Sequence, residues 1–182
     1  MSVGWLRGAL LVLAAVVFGG SLRAAEVSVA KGPATVVDAT HLDVAGRRFK
    51  LYGIDGPDLD ETCDDASDKE YPCGVEARNA LAALVKGGEV SCLPRGPNDN
   101  AQMLAVCSAA SVDLAQAMIE QGWAIADRTR TLYYEKAEEA ARLAKHGLWQ
   151  GRFVPPAAWR IGERVPQSRT GGPKGLTPEK LF

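Results

Sequence analysis

Between Asp55 and Glu70 the chain carries eight acids, namely Asp55, Asp58, Asp60, Glu61, Asp64, Asp65, Asp68 and Glu70. Oxygen ligands at that density suit a hard divalent cation, but the run lacks the regular alternation and internal Gly of an EF-hand loop. The expectation is a solvated acidic loop, whose charge would repel a nucleic-acid backbone. His41 has the chemistry of a base or metal ligand; on a strand, a solvent-facing role is the simpler expectation. Cys63 and Cys73 flank the acidic loop, while Cys92 and Cys107 sit in two strand-like segments around a turn-rich stretch. Zinc is disfavoured, because there is no CxxC pair and both histidines, His41 and His146, are distant from any cysteine. Four cysteines allow three disulfide connectivities. The local one, 63 with 73 and 92 with 107, is expected. Tyr133 and Tyr134 have faces that stack on bases, yet neighbours on a helix point about 100° apart, so at most one serves a given surface.

Disulfides need an oxidising compartment, and the N-terminus supplies the route to one. Arg7 precedes an apolar run over residues 9–18, followed by Gly19, Gly20, Ser21 and Ala24-Ala25, the layout of a secretory signal over residues 1–25. The run is too short to span a bilayer comfortably, and no later stretch approaches membrane length. An exported, periplasmic or secreted protein without a membrane span after removal of the signal is expected, a retained N-terminal anchor being the alternative. Removing residues 1–25 takes away Arg7 and Arg23 and no acid, so a formal charge of -1 becomes -3, from 19 bases and 22 acids. That excludes a nucleic-acid binder recognisable by net charge, and about 157 residues suffice for one core but not two. One domain is expected over residues 26–160, with a Gly-, Pro- and charge-rich tail over 161–182 read as disordered.

The elements that must position these groups begin with strands over residues 27–54: VSVA, then ATVVDATHLDVAG, then RRFKLYGI, broken at Lys31-Gly32-Pro33 and at Ala45-Gly46. Residues 55–72 read as a loop. A helix over 74–86 is marked by Ala77, Leu81, Leu84 and Val85 and stopped by Gly87-Gly88. Strands at 89–92 and 103–107 flank LPRGPNDNAQ, and further helices are expected over 113–120 and 132–146, the last terminated by Gly147. Trp123, Trp149 and Trp159 are read as core or near-core. Strands, a helix, two more strands and two helices describe an α+β, mainly β chain: a five-stranded OB-type barrel with about three flanking helices.

The ordered segments VVDATHLDVAGRRFKLYGIDGPDLDETC, PCGVEARNALAALV, LAVC, DLAQAMIEQGWAIA, AEEAARLAKHGLW and GRFVPPAAWR resemble the staphylococcal-nuclease-like, or thermonuclease, family over about residues 34–160. The resemblance implies an OB barrel and calcium-dependent cleavage of DNA and RNA. In that chemistry carboxylates hold the metal, a glutamate activates water and two arginines stabilise charge on the phosphate.

Position by position, the resemblance is incomplete. The first metal-binding aspartate falls on Thr40, and the first phosphate arginine on Lys50, which keeps charge but not the bidentate fork. Asp55 matches the second metal-binding aspartate. Asp58 stands at the general-base glutamate one methylene short, and the second arginine falls on Gln102, with Arg95 on the far side of the turn. Since such groups work as a unit, the expectation is a catalytically impaired module that binds an unidentified periplasmic or envelope partner. The alternative is an active metal-dependent nuclease, with calcium as cofactor, in which Lys50, Asp55, Asp58 and either Asp38 or His41 form a rebuilt site. An accessory role in envelope or polysaccharide assembly is a third reading.

Overall fold

Alternating apolar residues fold the N-terminal half into a meander. β1 (Ala30–Val36), β2 (His41–Val44) and β3 (Arg47–Leu51) pair antiparallel in sequence. Leu42, Val44, Phe49 and Leu51 point inward and are fully buried. The computed structural model describes Met1 and residues 29–97 and 102–166. The expected export signal, the centre of the turn at 98–101 and the tail from residue 167 lie outside the described residues.

Two boundaries differ from the sequence pattern. Lys31-Gly32-Pro33 does not break the first strand. Residues 30–33 pair with a later strand and 34–36 with β2, so β1 bends from one neighbour to the other across the Gly-Pro step. The long second segment is instead interrupted at Asp38, whose Oδ1 accepts the backbone N–H groups of Thr40 and His41, both at 2.8 Å, and reverses the chain.

After β3 come β4 (Ile54–Asp55), a small hairpin of β5 (Cys63–Asp64) and β6 (Glu70–Tyr71), and α1 (Cys73–Val85), which buries Ala77, Leu81 and Val85 at four-residue spacing. β7 (Glu89–Pro97) and β8 (Met103–Ala109) form the second antiparallel pair. Parallel pairing of β8 with β3 closes the barrel in the order β3-β2-β1-β7-β8, with β9 (Val112–Asp113) added beside β8. Closure leaves the five strands no free edge. Cys63 is joined to Cys73 and Cys92 to Cys107, the local connectivity.

Asp113 caps α2 (Leu114–Glu120) by accepting from the N–H groups of Ala115 and Gln116. β10 (Ile125–Ala126) pairs with β4. α3 spans Glu135–Leu143, shorter than the expected 132–146; at its C-terminal end Lys145 already turns left-handed at φ 55°, two residues before Gly147 does so at φ 50°, and the His146 N–H bonds back to the Ala141 carbonyl. After a 3-10 turn at Gly147–Gln150, a fourth helix, α4 (Pro156–Arg160), was not anticipated. A second apolar cluster of Ile125, Ala141, Leu148, Trp149 and Phe153 packs on the Cys63–Cys73 bridge and supports the acidic loop from below. Trp149 and Trp159 are buried and Trp123 packs against both clusters. Among the described residues, no helix is long and apolar enough to cross a membrane.

Candidate functional site at the rim of the barrel

The Gly-Ile-Asp motif leaves the barrel at the end of β3. Gly53 adopts φ 79°, and a Cβ there would lie 2.5 Å from Thr131 Cγ2 and 3.0 Å from the Tyr134 ring. Only glycine combines that backbone with that approach. The tight crossing lets the Gly53 carbonyl accept the Asp127 N–H at 2.9 Å and pairs Asp55 with Ile125. Residues 127–130 are thereby set beside Asp55.

Asp55 sits between two cations. Lys50 Nζ is 3.6 Å from its Oδ1, and Arg160 Nη2 donates to its Oδ2. Arg160 also donates from Nη1 to Asp58 Oδ1 at 3.2 Å, so one guanidinium spans both motif acids. Burial disfavours the Arg160 charge, but the attraction of Asp55 and Asp58 outweighs it and raises the pKa. Beneath them Glu61 is almost fully buried. Its Oε2 accepts the Asp58 N–H at 3.2 Å, and its Oε1 has no hydrogen-bond partner. Desolvation is the main reason its carboxyl is pushed up to about 7, with Asp58 and Asp55 adding repulsion and Arg160 opposing it. Glu61 also lies close to both sulfurs of the Cys63–Cys73 bridge, which as a disulfide offers no thiolate to a metal.

The Asp38 turn lies next to the motif, since a Cβ on Gly56 would meet Thr40 Cγ2 at 3.0 Å. Thr40 is buried. Its Oγ1 donates to Asp38 Oδ1 at 3.3 Å and is 3.1 Å from His41 Nδ1. Contrary to expectation, His41 does not face solvent: the ring folds onto Asp38, with Nδ1 2.9 Å from both carboxylate oxygens. An ionised carboxylate only accepts, so Nδ1 carries the proton, and Nε2 is buried without a hydrogen-bond partner. Burial alone would raise the Asp38 pKa; the bonds from His41 and Thr40 win and hold it below the ordinary value. Asp38 and His41 thus serve each other and the turn.

A cleft of about 390 Å³ opens beside Asp55, with Leu104, Ile125, Ala126 and Ala157 among its apolar walls and Lys50, Arg128, Arg130 and Arg160 as its cations. Arg128 is held by Glu135 and Glu138, and buried Glu138 also accepts the Ala126 N–H at 2.7 Å, which fixes the segment carrying both arginines. Arg130 pairs with Asp127 at 3.3 Å. Of the residues expected at the site, Lys50, Asp55 and Asp58 come together. Gln102 is exposed immediately before β8, two residues from Leu104, the residue paired with Lys50. Arg95 lies at the irregularity of β7 between Pro94 and Gly96 and does not line the cleft. Of the two tyrosines, Tyr133 is exposed and Tyr134 is buried with its hydroxyl on Asp113.

Arg160, Arg128 and Arg130 were missed by sequence reasoning, and Glu61 was read only as one acid of a solvated loop. Arg160 is 105 residues from Asp55, and a terminal Trp-Arg after two prolines signals only a chain leaving its core. The richness in bases after Arg128 was the one available sign. Chemically, the rim offers carboxylates already opposed by the chain's own cations. At this rim Thr40 presents a buried hydroxyl hydrogen-bonded to Asp38, and Asp55 is flanked by Lys50 and Arg160.

Comparison with known proteins agrees with this architecture. Residues 48–151 match the family model described as staphylococcal nuclease homologue. The chain is also 29% identical over 154 residues to the succinoglycan biosynthesis protein ExoI of Rhizobium meliloti (strain 1021), a match covering 83% of this chain and 80% of that protein. With a closed five-stranded barrel, a Gly-Ile-Asp motif at its rim and a family match over more than half of its length, the chain belongs to the staphylococcal nuclease homologue family.

Proposed function

We propose that this protein is an exported, non-hydrolytic member of its family, a binding module that serves envelope polysaccharide assembly. The observation that carries the first part is Thr40. At the position where the family's chemistry calls for a metal-binding carboxylate stands a buried hydroxyl turned into the Asp38 turn. A neutral hydroxyl already donating a hydrogen bond is a poor substitute for an anionic oxygen toward a hard cation. Gln102, an uncharged amide at the second arginine position, removes a cation that phosphate chemistry needs in the transition state. Both disulfides fit an oxidising compartment. Likeness to a protein named for succinoglycan biosynthesis supports the polysaccharide context, over most of both chains.

The competing reading, an active calcium-dependent nuclease with a rebuilt site, is favoured by the grouping of Lys50, Asp55 and Asp58. The purified chain lacking residues 1–25 should leave single-stranded DNA and RNA intact in calcium, magnesium or manganese. Metal-dependent cleavage lost in Asp55→Ala would establish the competing reading instead. Restoring Thr40→Asp, Lys50→Arg, Asp58→Glu and Gln102→Arg together should create activity on the same barrel.

A further inference from the structure

We propose that Arg160 is the internal cation of this site: its guanidinium holds the place between Asp55 and Asp58 that a divalent ion would need, and it pins α4 across the rim of the barrel. The inference rests on the reading of the site as non-hydrolytic and adds how the charge of the remaining acids is balanced.

Two carboxylates left facing each other at a partly buried rim repel, and each needs a counter-charge. Here Asp55 and Asp58 supply two negative charges, and Lys50 and Arg160 supply two positive ones. The cluster is balanced without a metal. A divalent ion added to it would meet two cations at close range, and binding it would require one of them to leave. Arginine suits the role better than lysine, because its fork presents separate N–H groups to two carboxylates at once, Nη2 to Asp55 and Nη1 to Asp58.

The cation is also tethered. α4 is anchored by buried Pro156 and Trp159, and Arg164 lies over the Trp159 ring at 3.6 Å. Anchoring makes the guanidinium an intramolecular ligand at high effective concentration, so a free ion competes against it at a disadvantage. Lys50 is tethered as well, by β3, but its contact is longer and reaches Asp55 alone.

The test separates occupancy from catalysis. Thr40→Asp restores the missing carboxylate, and Thr40→Asp/Arg160→Gln additionally removes the internal cation. Calcium affinity is read by thermal stabilisation and by Tb³⁺ luminescence, with Asp55→Asn as the control for the site. The double variant should bind at least tenfold more tightly than Thr40→Asp alone, and Asp55→Asn should abolish the gain. Equal affinities in the two chains, or a folded double variant that binds neither ion, would overturn the role of Arg160. If Thr40→Asp unfolds the buried turn, the natural chain and Arg160→Gln are compared in the same way: tighter binding by Arg160→Gln supports the role, and equal or absent binding overturns it. Nuclease activity in the natural chain would overturn the non-hydrolytic reading by a different measurement and leave the affinity comparison to decide on Arg160.

Discussion

Glu61→Gln should make the protein more stable at neutral and alkaline pH and leave it nearly unchanged near pH 4. Glu61 is buried beneath the site, with one oxygen on the Asp58 N–H and the other without a hydrogen-bond partner, and its carboxyl is pushed up from 4.5 to about 7 chiefly by desolvation. Below pH 4.5 both the folded and unfolded chains hold the proton. Between 4.5 and about 7 the folded chain keeps a proton that the unfolded chain has released, so stability falls as pH rises through this window and levels off above it. At roughly 1.4 kcal/mol per pH unit, the full interval amounts to about 3 kcal/mol, which glutamine, always neutral, does not lose. Its carbonyl can accept the Asp58 N–H in place of Oε2. Urea denaturation of both chains with disulfides intact, at steps from about pH 4 to about pH 8, isolates the effect, because every other titrating group is shared. The difference should open from near zero to about 3 kcal/mol in favour of the variant, a shift in Tm on the order of 10 °C. A difference that stays flat with pH, or a variant less stable at pH 8, would refute the assignment of this proton to Glu61.

Two further substitutions probe how the site is held. Gly74→Ala lies in the first turn of α1, where helix propensity alone predicts a gain of up to about 1 kcal/mol. Its Cβ would instead fall 1.8 Å from the Asp58 carbonyl oxygen, so a net loss of roughly 2 kcal/mol or more is expected in the same denaturation assay. Glu138→Ala would strip the buried Ala126 N–H of its acceptor and Arg128 of one of its two partners, costing about 2–3 kcal/mol, whereas Glu138→Gln retains an oxygen for Ala126 and should lose less. Amide exchange at Ala126 should accelerate in the alanine variant only.

Much of the barrel was legible because its signals are local. Alternation marks Leu42, Val44, Phe49 and Leu51 as one face, and four-residue spacing marks Ala77, Leu81 and Val85 as another. The Gly-Pro step misled because strand continuity depends on which neighbour each half of β1 finds, and that is set by closure. His41 misled for a related reason, since its orientation follows from Asp38 reversing the chain three residues earlier.

By itself the sequence determined the periodicity of the strands and helices and the motif that carries Asp55 and Asp58, which depend on residues close together along the chain, and it made the local cysteine pairing the expected one of three. Only the tertiary structure decided the electrostatic state of that motif. Arg160 reaches Asp55 and Asp58 from more than a hundred residues away, Lys50 approaches from β3, and Glu61 is buried beside the Cys63–Cys73 bridge. Charge and burial at a point depend on every group that folding brings there, whatever its position in the sequence.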